Sequence, residues 1–517
     1  MIVSHPSGAW RSGLVALTLG LSFLPIGARA ANGASAQPSG SWPYANGDLA
    51  NTRDAAESSI TLANISSLKY AWSFDLSGSA TKNVGGYGTL AAAPIVVNDS
   101  VYEQDLHSNV YALSLATGKL EWSYIVNKPE LSGPGPNGVA VVDGVVYGAT
   151  PKSVFALNST TGHLLWSNDT LLKKGQGTIG IQPQVANDRV YLASQYGHLP
   201  GGGVLLALNA TTGAVIWRFN TVPKKDRGVD DLGLGAGGAW ETPLVGDDGS
   251  VTFGIGNPYQ TLGEALAHPA KILYTNSDVN LNAATGKLRW YYQAVPDDFK
   301  DYDLQASPIS ASANGVPVVI GGGKMGVVYE MNAASGALLW KTPVGIHNGH
   351  DNDSLKALEG KSTPKVPFTY EPGALGGILT NMAVAGNTVY VATCNLPFVF
   401  TNTDQVNGSP PSKKISGNVE ALNLATGKVE WNTKLKSFPL GAVTVSNNLI
   451  FTTMIQGTLL ALNRSTGAIV YTKQLPRSTN SPISIAGDTV IVPTGGPKYG
   501  AGTGMSQIVA YRLSPSE

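Results

Sequence analysis

One short phrase returns seven times along this chain. It is "VYALSLATGKLEW" ending at Trp122, then "VFALNSTTGHLLW" at Trp166, "LLALNATTGAVIW" at Trp217, "DVNLNAATGKLRW" at Trp290, "VYEMNAASGALLW" at Trp340, "VEALNLATGKVEW" at Trp431 and "LLALNRSTGAIVY" at Tyr471. Each copy opens with alternating apolar residues, passes through a polar T-G or S-G turn whose glycine can take positive φ, and closes on an aromatic; this is the pattern of a β-hairpin. Two further short apolar runs precede most copies, as in "AAPIVVNDSVYEQD" and "GVAVVDGVVYGAT", so the unit is four antiparallel strands. A unit of this kind, repeated at intervals of roughly 40–50 residues with longer insertions before Trp290 and Trp431, predicts an all-β chain folded as a β-propeller.

The two ends supply the missing unit. "LKYAWSFDLSG" at Leu68–Gly78 has Trp72 where the hairpins have their aromatic, and "SQIVAYRLSP" at Ser506–Pro515 reads as the strand that pairs with it. Joining them makes an eighth four-stranded blade and closes the ring, which removes the exposed sheet edges at the seam. Radial repetition adds blades without thickening a core, so residues 68–517 are read as one propeller domain and 31–67 as a lead-in to it. Seven of the ten tryptophans fall in the repeat position, where a large ring packs between blades. Trp10 lies in the N-terminal leader, which leaves Trp42 and Trp240 without a blade role.

Charge and cysteine content narrow the classes of function. Lys plus Arg equals Asp plus Glu at 34 each in 517 residues, and no basic run occurs, which argues against a nucleic-acid or anionic-membrane partner. Cys394 is the single cysteine, so there is no intrachain disulfide, zinc site of cysteines or CxxCH haem attachment. At the N-terminus, Arg11, the apolar run Gly13–Gly27 and "ARA" at Ala28–Ala30 read as a cleavable signal over residues 1–30, placing the mature chain in the periplasm or outside the cell with no transmembrane segment.

The hairpin phrase, set around an eight-bladed ring, resembles the tryptophan-docking motif of the pyrroloquinoline-quinone-dependent alcohol dehydrogenases. The opening "WPYANGDLANTRDAAESSITLANISSLKYAWSF", Trp42–Phe74, is similar to the start of the same family, including its polyvinyl-alcohol-oxidising branch. The resemblance runs from about Trp42 to the C-terminus and implies a quinone cofactor, a calcium ion, an alcohol substrate, small or polymeric, and a separate electron acceptor such as a cytochrome c. Residue by residue it implies that Trp240, in "GAGGAW", floors the quinone and that Asn257, in "GIGNPY", gives calcium an amide oxygen. It further implies that Asp301, in "FKDYD", is catalytic base and metal neighbour, and that Lys324, in "GGGKMG", sits at the quinone edge.

Those residue types suit the chemistry. Calcium takes carboxylate and amide oxygens and acts as a Lewis acid on a quinone carbonyl; a carboxylate within hydrogen-bond reach removes the hydroxyl proton as hydride leaves; a lysine stabilises charge developing on the reduced ring. Each residue also has a plainer reading. Trp240 can be ordinary packing, Asp301 one member of a solvated acidic loop with Asp297, Asp298 and Asp303, Asn257 the start of a turn before Pro258, and Lys324 an exposed residue in a glycine-rich segment.

Several positions depart from the family. Its adjacent cysteine pair falls where this chain reads "SGPGPNGVA", an arginine beside it becomes Asn137, and the carboxylate ligand of calcium falls near Gln195 in "LASQYGHLPGGG", an exchange that should weaken metal binding. Gln195 is nonetheless expected among the cofactor-binding residues. An alternative reading is a noncatalytic ring that presents loops to a protein partner in the cell envelope, as in the outer-membrane assembly lipoprotein. The insertions containing "EALAHPAKILYTNSD" and "KSTPKVPFTYEPGALGG" are expected to roof one face of the ring.

Overall fold

A hairpin forms at every copy of the repeat. The computed structural model describes residues 40–77, 84, 88–126, 137–195, 202–223, 237–412, 415–496 and 505–514; the leader over residues 1–30 and the segment Gly133–Pro136 lie outside the described residues. The chain is nearly all β, arranged as eight blades of antiparallel strands. Blade 1 comprises Ile95–Val97, Ser100–Gln104, Val110–Ser114 and Leu120–Tyr124, and blades 2 to 7 repeat this order along the chain. In blade 8 the strands Ser484–Ala486, Thr489–Thr494 and Gln507–Leu513 are completed by Leu68–Asp75 from the other end of the chain, with Leu68 opposite Leu513 and Asp75 opposite Gln507. The first strands of successive blades lie side by side around a central axis, and blade 8 returns to blade 1. Among the described residues no helix is long and apolar enough to cross a membrane.

The tryptophans explain how neighbouring blades hold each other. Each indole N–H donates to a backbone carbonyl in the next blade's hairpin: Trp72 to Leu115 at 2.8 Å, Trp122 to Ser159 at 2.8 Å, Trp166 to Ala210 at 3.0 Å, Trp217 to Ala283 at 2.9 Å, Trp290 to Ala333 at 2.8 Å, Trp340 to Leu424 at 3.0 Å and Trp431 to Arg464 at 3.0 Å. Where the seventh copy has tyrosine, the Tyr471 hydroxyl donates to Leu68 at 3.3 Å and completes the circuit. The ring face covers the turn glycine of that same neighbour. At Gly162, with φ +69°, a Cβ would stand 2.5 Å from the Trp122 ring, so this glycine is required both by its backbone and by the indole above it. Asparagine serves the turn as an acceptor: Asn158 Oδ1 takes the amides of Thr160 and Thr161 at 3.0 and 2.9 Å, and Asn209 and Asn282 repeat the arrangement. A neutral amide oxygen thus caps the turn in each of these hairpins.

The lead-in peptide lies inside the ring and pairs with its innermost strands. Trp42 exchanges backbone hydrogen bonds with Val96 of blade 1; Val245 of blade 4 donates to Leu49, Ser310 of blade 5 to Ala50, Val384 of blade 6 to Thr52, and Val445 of blade 7 to Arg53. Arg53 is fully buried. Its guanidinium donates to the carbonyls of Val443, Ala45 and Ile483, to Asn46 Oδ1 and to Thr444 Oγ1, at 2.7 to 3.2 Å, and its carbon stands 5.4 Å from the centre of the Trp42 ring. This gives Trp42 the role that the repeat does not supply. Burial lowers the Arg53 pKa to about 9, partly opposed by Glu241. Replacing Arg53 with alanine would leave five buried acceptors short of a donor, and should cost about 3 kcal/mol or more; a lowered urea midpoint against wild type is the check, and an unchanged midpoint would rule out the anchoring role.

Candidate active site

Residues that precede a first strand and residues that follow a second strand lie at the same end of the propeller, because those two strands run antiparallel. Five sequence-named residues therefore share one rim over blades 3 to 5. Gln195 ends the second strand of blade 3, Arg189–Gln195; Trp240 leads into Leu244–Val245 of blade 4; Asn257 follows Ser250–Gly254; Asp301 approaches Ile309–Ala313 of blade 5; and Lys324 follows Val316–Gly322.

Backbone contacts draw these segments together. Ala239, beside Trp240, donates its amide to Ser194, beside Gln195, at 3.0 Å; Gly256 donates to Gly238 at 2.8 Å and Gly237 to Asn257 at 3.1 Å. At Gly256 a Cβ would stand 2.8 Å from the Trp240 ring and 2.7 Å from Asp303 Oδ1, so only glycine lets the indole and that carboxylate approach the same backbone. The Asn257 amide donates to Asp303 Oδ1 at 2.7 Å, and its side-chain nitrogen donates to Asp301 Oδ1. Lys324 Nζ then stands between two carboxylates, 2.8 Å from Asp301 Oδ2 and 2.6 Å from Asp303 Oδ2.

Asp301 is held in an uncommon conformation, with φ +64°. The Asp298 carboxylate sets it by accepting the backbone amides on either side, Lys300 at 2.9 Å and Tyr302 at 2.6 Å. Lys300 points away from the site and pairs with Asp353 at 2.7 Å, its ammonium 5.2 to 5.6 Å from the ring centres of Phe299, Tyr302 and Tyr370. Asp353 opens helix α2, Asp353–Leu358, so this buried pair ties the long insertion of blade 6 to the residue preceding Asp301.

A second segment of blade 6, between its strands Thr388–Asn395 and Ser416–Asn423, reaches Asp301 directly. Asn407 Nδ2 lies 3.4 Å from Asp301 Oδ2, and the Asn407 carbonyl accepts the Tyr370 hydroxyl at 2.7 Å. Helix α1, Leu262–Ala267, begins with a reciprocal cap between Thr261 and Glu264 and docks on the same segment through Leu262 to Gln405 at 3.1 Å and Gly263 to Thr403 at 2.7 Å. The two insertions expected to roof the ring meet each other here. Asp298, Asp303 and Asn407, which the sequence analysis assigns no role, surround Asp301 here; the first two stand within the acidic run, and no periodic signal marks Asn407.

Burial dominates the electrostatics. It raises the Asp301 carboxyl to about 7, with Lys324 pulling it down and Asp303 and Asp298 pushing it up. Asp298 and Asp297 are likewise raised, to about 6 and about 7, chiefly by burial. Burial disfavours the charged form of Lys324, but the Asp301 and Asp303 carboxylates outweigh it and hold the ammonium above its ordinary value.

Several buried amides lie on the adjoining blades. Gln104 ends a second strand in blade 1, Asn137 precedes the first strand of blade 2, and Gln184 begins the first strand of blade 3. Gln104 Oε1 and both side-chain polar atoms of Asn137, Gln184 and Gln195 are buried without a hydrogen-bond partner. Buried amides left unpaired are costly and rare in a folded chain. Together with the Trp240 indole and the Lys324 ammonium, they fit a flat ligand carrying several acceptor oxygens, as a polycarboxylated quinone does.

The calcium site implied by the family resemblance is not assembled by these residues. Asn257 turns its nitrogen onto Asp301 and gives its oxygen to the Tyr259 amide at 3.0 Å. Lys324 takes up the Asp301 and Asp303 oxygens. A divalent ion at those oxygens would stand about 4 Å from the ammonium, and at an effective dielectric of about 20 the repulsion is on the order of 8 kcal/mol. Among the described residues no group of three or more His, Cys, Asp or Glu side chains is disposed to hold a metal.

A family model described as the glucose/ethanol/alcohol dehydrogenase β-propeller domain matches residues 42–141 and 181–344, and one for the outer membrane protein assembly factor BamB matches residues 324–511. The dehydrogenase subunit of a quinone alcohol dehydrogenase from Gluconobacter oxydans (strain 621H) is 29% identical over 420 residues, 70% of this chain and 53% of that protein. The chain spans about half the length of the first curated relatives it matches, 53% to 56%. The crystal structure of the quinohemoprotein alcohol dehydrogenase from Comamonas testosteroni superposes with a TM-score of 0.78 at 21% identity, over 92% of this chain and 81% of that one. BamB from Moraxella catarrhalis superposes at 0.52 with 14% identity, over 87% and 99%. Both structures share the fold. By the first of these matches, which takes in the whole charged arc from Gln195 to Lys324, the chain belongs to the glucose/ethanol/alcohol dehydrogenase β-propeller family.

Proposed function

We propose that this chain is a periplasmic quinoprotein dehydrogenase that oxidises an alcohol by hydride transfer to pyrroloquinoline quinone and passes the electrons to a separate carrier such as a cytochrome c. The observation that carries the reading is the convergence of a near-neutral buried carboxyl, Asp301, a lysine clamped to it and the Trp240 indole on one rim of a family propeller. The unpaired amides of Asn137, Gln184 and Gln195, with the unpaired Oε1 of Gln104, support it, because they need a ligand rich in acceptors or donors.

When bound, the quinone supplies the hydride acceptor. The residues do the rest. Trp240 would carry the flat ring on its face, and the buried amides would orient it by hydrogen bonds. Lys324 would supply positive charge to offset the negative charge of the reduced cofactor. Asp301 accepts from Asn257 at Oδ1 and from the Lys324 ammonium and, at longer range, Asn407 at Oδ2, and its carboxylate is the group that takes the alcohol proton. The α1 and blade 6 insertions exclude water above it.

Two experiments test this. Titration of the purified chain with pyrroloquinoline quinone, followed by absorbance, should saturate at one equivalent. Trp240→Ala should weaken binding by about 10-fold or more, whereas Asp301→Asn should bind the quinone but lose about 100- to 10,000-fold in turnover with an artificial acceptor. No saturation at high micromolar quinone would overturn the reading. It would favour a ring that binds a protein partner in the cell envelope, which the match of residues 324–511 to the assembly-factor model supports.

The second experiment is a pH profile. Asp301 must be ionised to accept a proton and burial raises it to about 7, so turnover should climb with pH through about 7 and then level. Asp303 repels the Asp301 charge and contributes to that rise; Asp303→Asn should therefore move the acid limb to lower pH. A limb near pH 4 in the wild type would exclude Asp301 as the base.

A further inference from the structure

We infer that the Lys324 ammonium is the resident cation of this site, and that the chain binds its ligand with no divalent metal between Asp301 and Asp303. This rests on the proposed quinone-binding function but goes beyond it, and it departs from the calcium that the family resemblance implies.

Three independent features of the rim support it. The first is the ammonium itself, within hydrogen-bond distance of both carboxylates. Its backbone is fixed there: the Lys324 amide donates to the Asp303 carbonyl at 3.0 Å, the Ile378 amide donates to Gly323 at 3.0 Å, and at Gly377 a Cβ would stand 2.1 Å from the Lys324 carbonyl. Lysine and carboxylates are thus carried by two segments locked together, and the ammonium has little room to withdraw.

The second is the direction of Asn257. A metal ligand must offer its amide oxygen, yet here the nitrogen faces Asp301 and the oxygen is used by the turn it opens at Tyr259. Reversing the amide would break both contacts and bring its oxygen against a carboxylate oxygen. The third is Gln195, whose side chain is neutral where a carboxylate would be needed, with both polar atoms unpaired. A hard divalent cation wants six to eight oxygens with enough negative charge among them, and this rim supplies two carboxylates already neutralised in part by a lysine.

A resident ammonium has a chemical consequence. A covalently held ammonium cannot dissociate, so the site is complete whenever the chain is folded and is indifferent to chelators.

The test uses the full chain after exhaustive dialysis against EDTA. Calcium is titrated by calorimetry and terbium by sensitised emission, with Trp240 close enough to serve as the antenna. Wild type should show no saturable site below millimolar metal, whereas Lys324→Ala, which removes the ammonium and leaves both carboxylates, should gain one site at least about 100-fold tighter. Lys324→Gln, of similar length, should behave like the alanine variant if the latter folds poorly. Quinone affinity of the wild type should be the same, within about two-fold, with EDTA or with excess calcium. A stoichiometric calcium site in the wild type would overturn the inference, as would quinone binding that EDTA abolishes and calcium restores, or a folded lysine variant that gains no metal. Failure of the wild type to bind quinone in any buffer would instead sink the proposed function, and the metal titrations alone would then decide for or against the lysine.

Discussion

Everything in this ring hangs on an indole laid over a glycine in the next blade, with its N–H on a neighbouring carbonyl. Each such contact buries a large ring and satisfies its polar atom, worth a few kcal/mol by area and about 1 kcal/mol by hydrogen bonding. Because the contact is passed from blade to blade and returns through Tyr471 to Leu68, no blade has to be stable alone. The outer hairpins therefore fix the spacing of the inner strands, and the inner strands fix where the loops of the functional rim begin.

On that frame the charged arc is an exercise in keeping acids buried. Asp297, Asp298, Asp301 and Asp303 fall within seven consecutive positions and all are buried, an arrangement that costs free energy unless it is hydrogen-bonded and charge-paired. The chain does this with different partners for each: backbone amides for Asp298, Gln260 for Asp297, and Lys324 for both Asp301 and Asp303. One acid holds the conformation of another, and a lysine holds two more in register. The side chains of Asn137, Gln184 and Gln195 on blades 2 and 3 have the opposite imbalance, buried amides with too few partners.

Repetition made the fold legible. Seven copies of one phrase carry strand, turn and docking aromatic at fixed offsets, and the half-phrases at Leu68–Gly78 and Ser506–Pro515 announce the eighth blade. Of the site, Trp240, Asn257, Asp301 and Lys324 were readable by resemblance, and the structure brings all four together with Gln195. What could not be read was the direction of bonds: that Asn257 offers nitrogen rather than oxygen, and that Lys324 reaches back across a blade to two aspartates. Trp42 stood unexplained because its partners are the inner strand of blade 1 and an arginine whose own partners lie hundreds of residues away. Asn407 was hidden for the same reason, its approach to Asp301 being set by an insertion with no periodic signal.

The junction of the two chain ends sets a timetable for folding. The outer strand of blade 8, Leu68–Asp75, pairs with a strand far along the chain, Gln507–Leu513. The lead-in peptide likewise waits for strands of blades 4 to 7 before its amides and carbonyls find partners. Contacts of such sequence separation form late and slowly. The ring therefore closes only once Gln507–Leu513 is available to pair with Leu68–Asp75, and until then the lead-in peptide lacks the strands that its backbone pairs with.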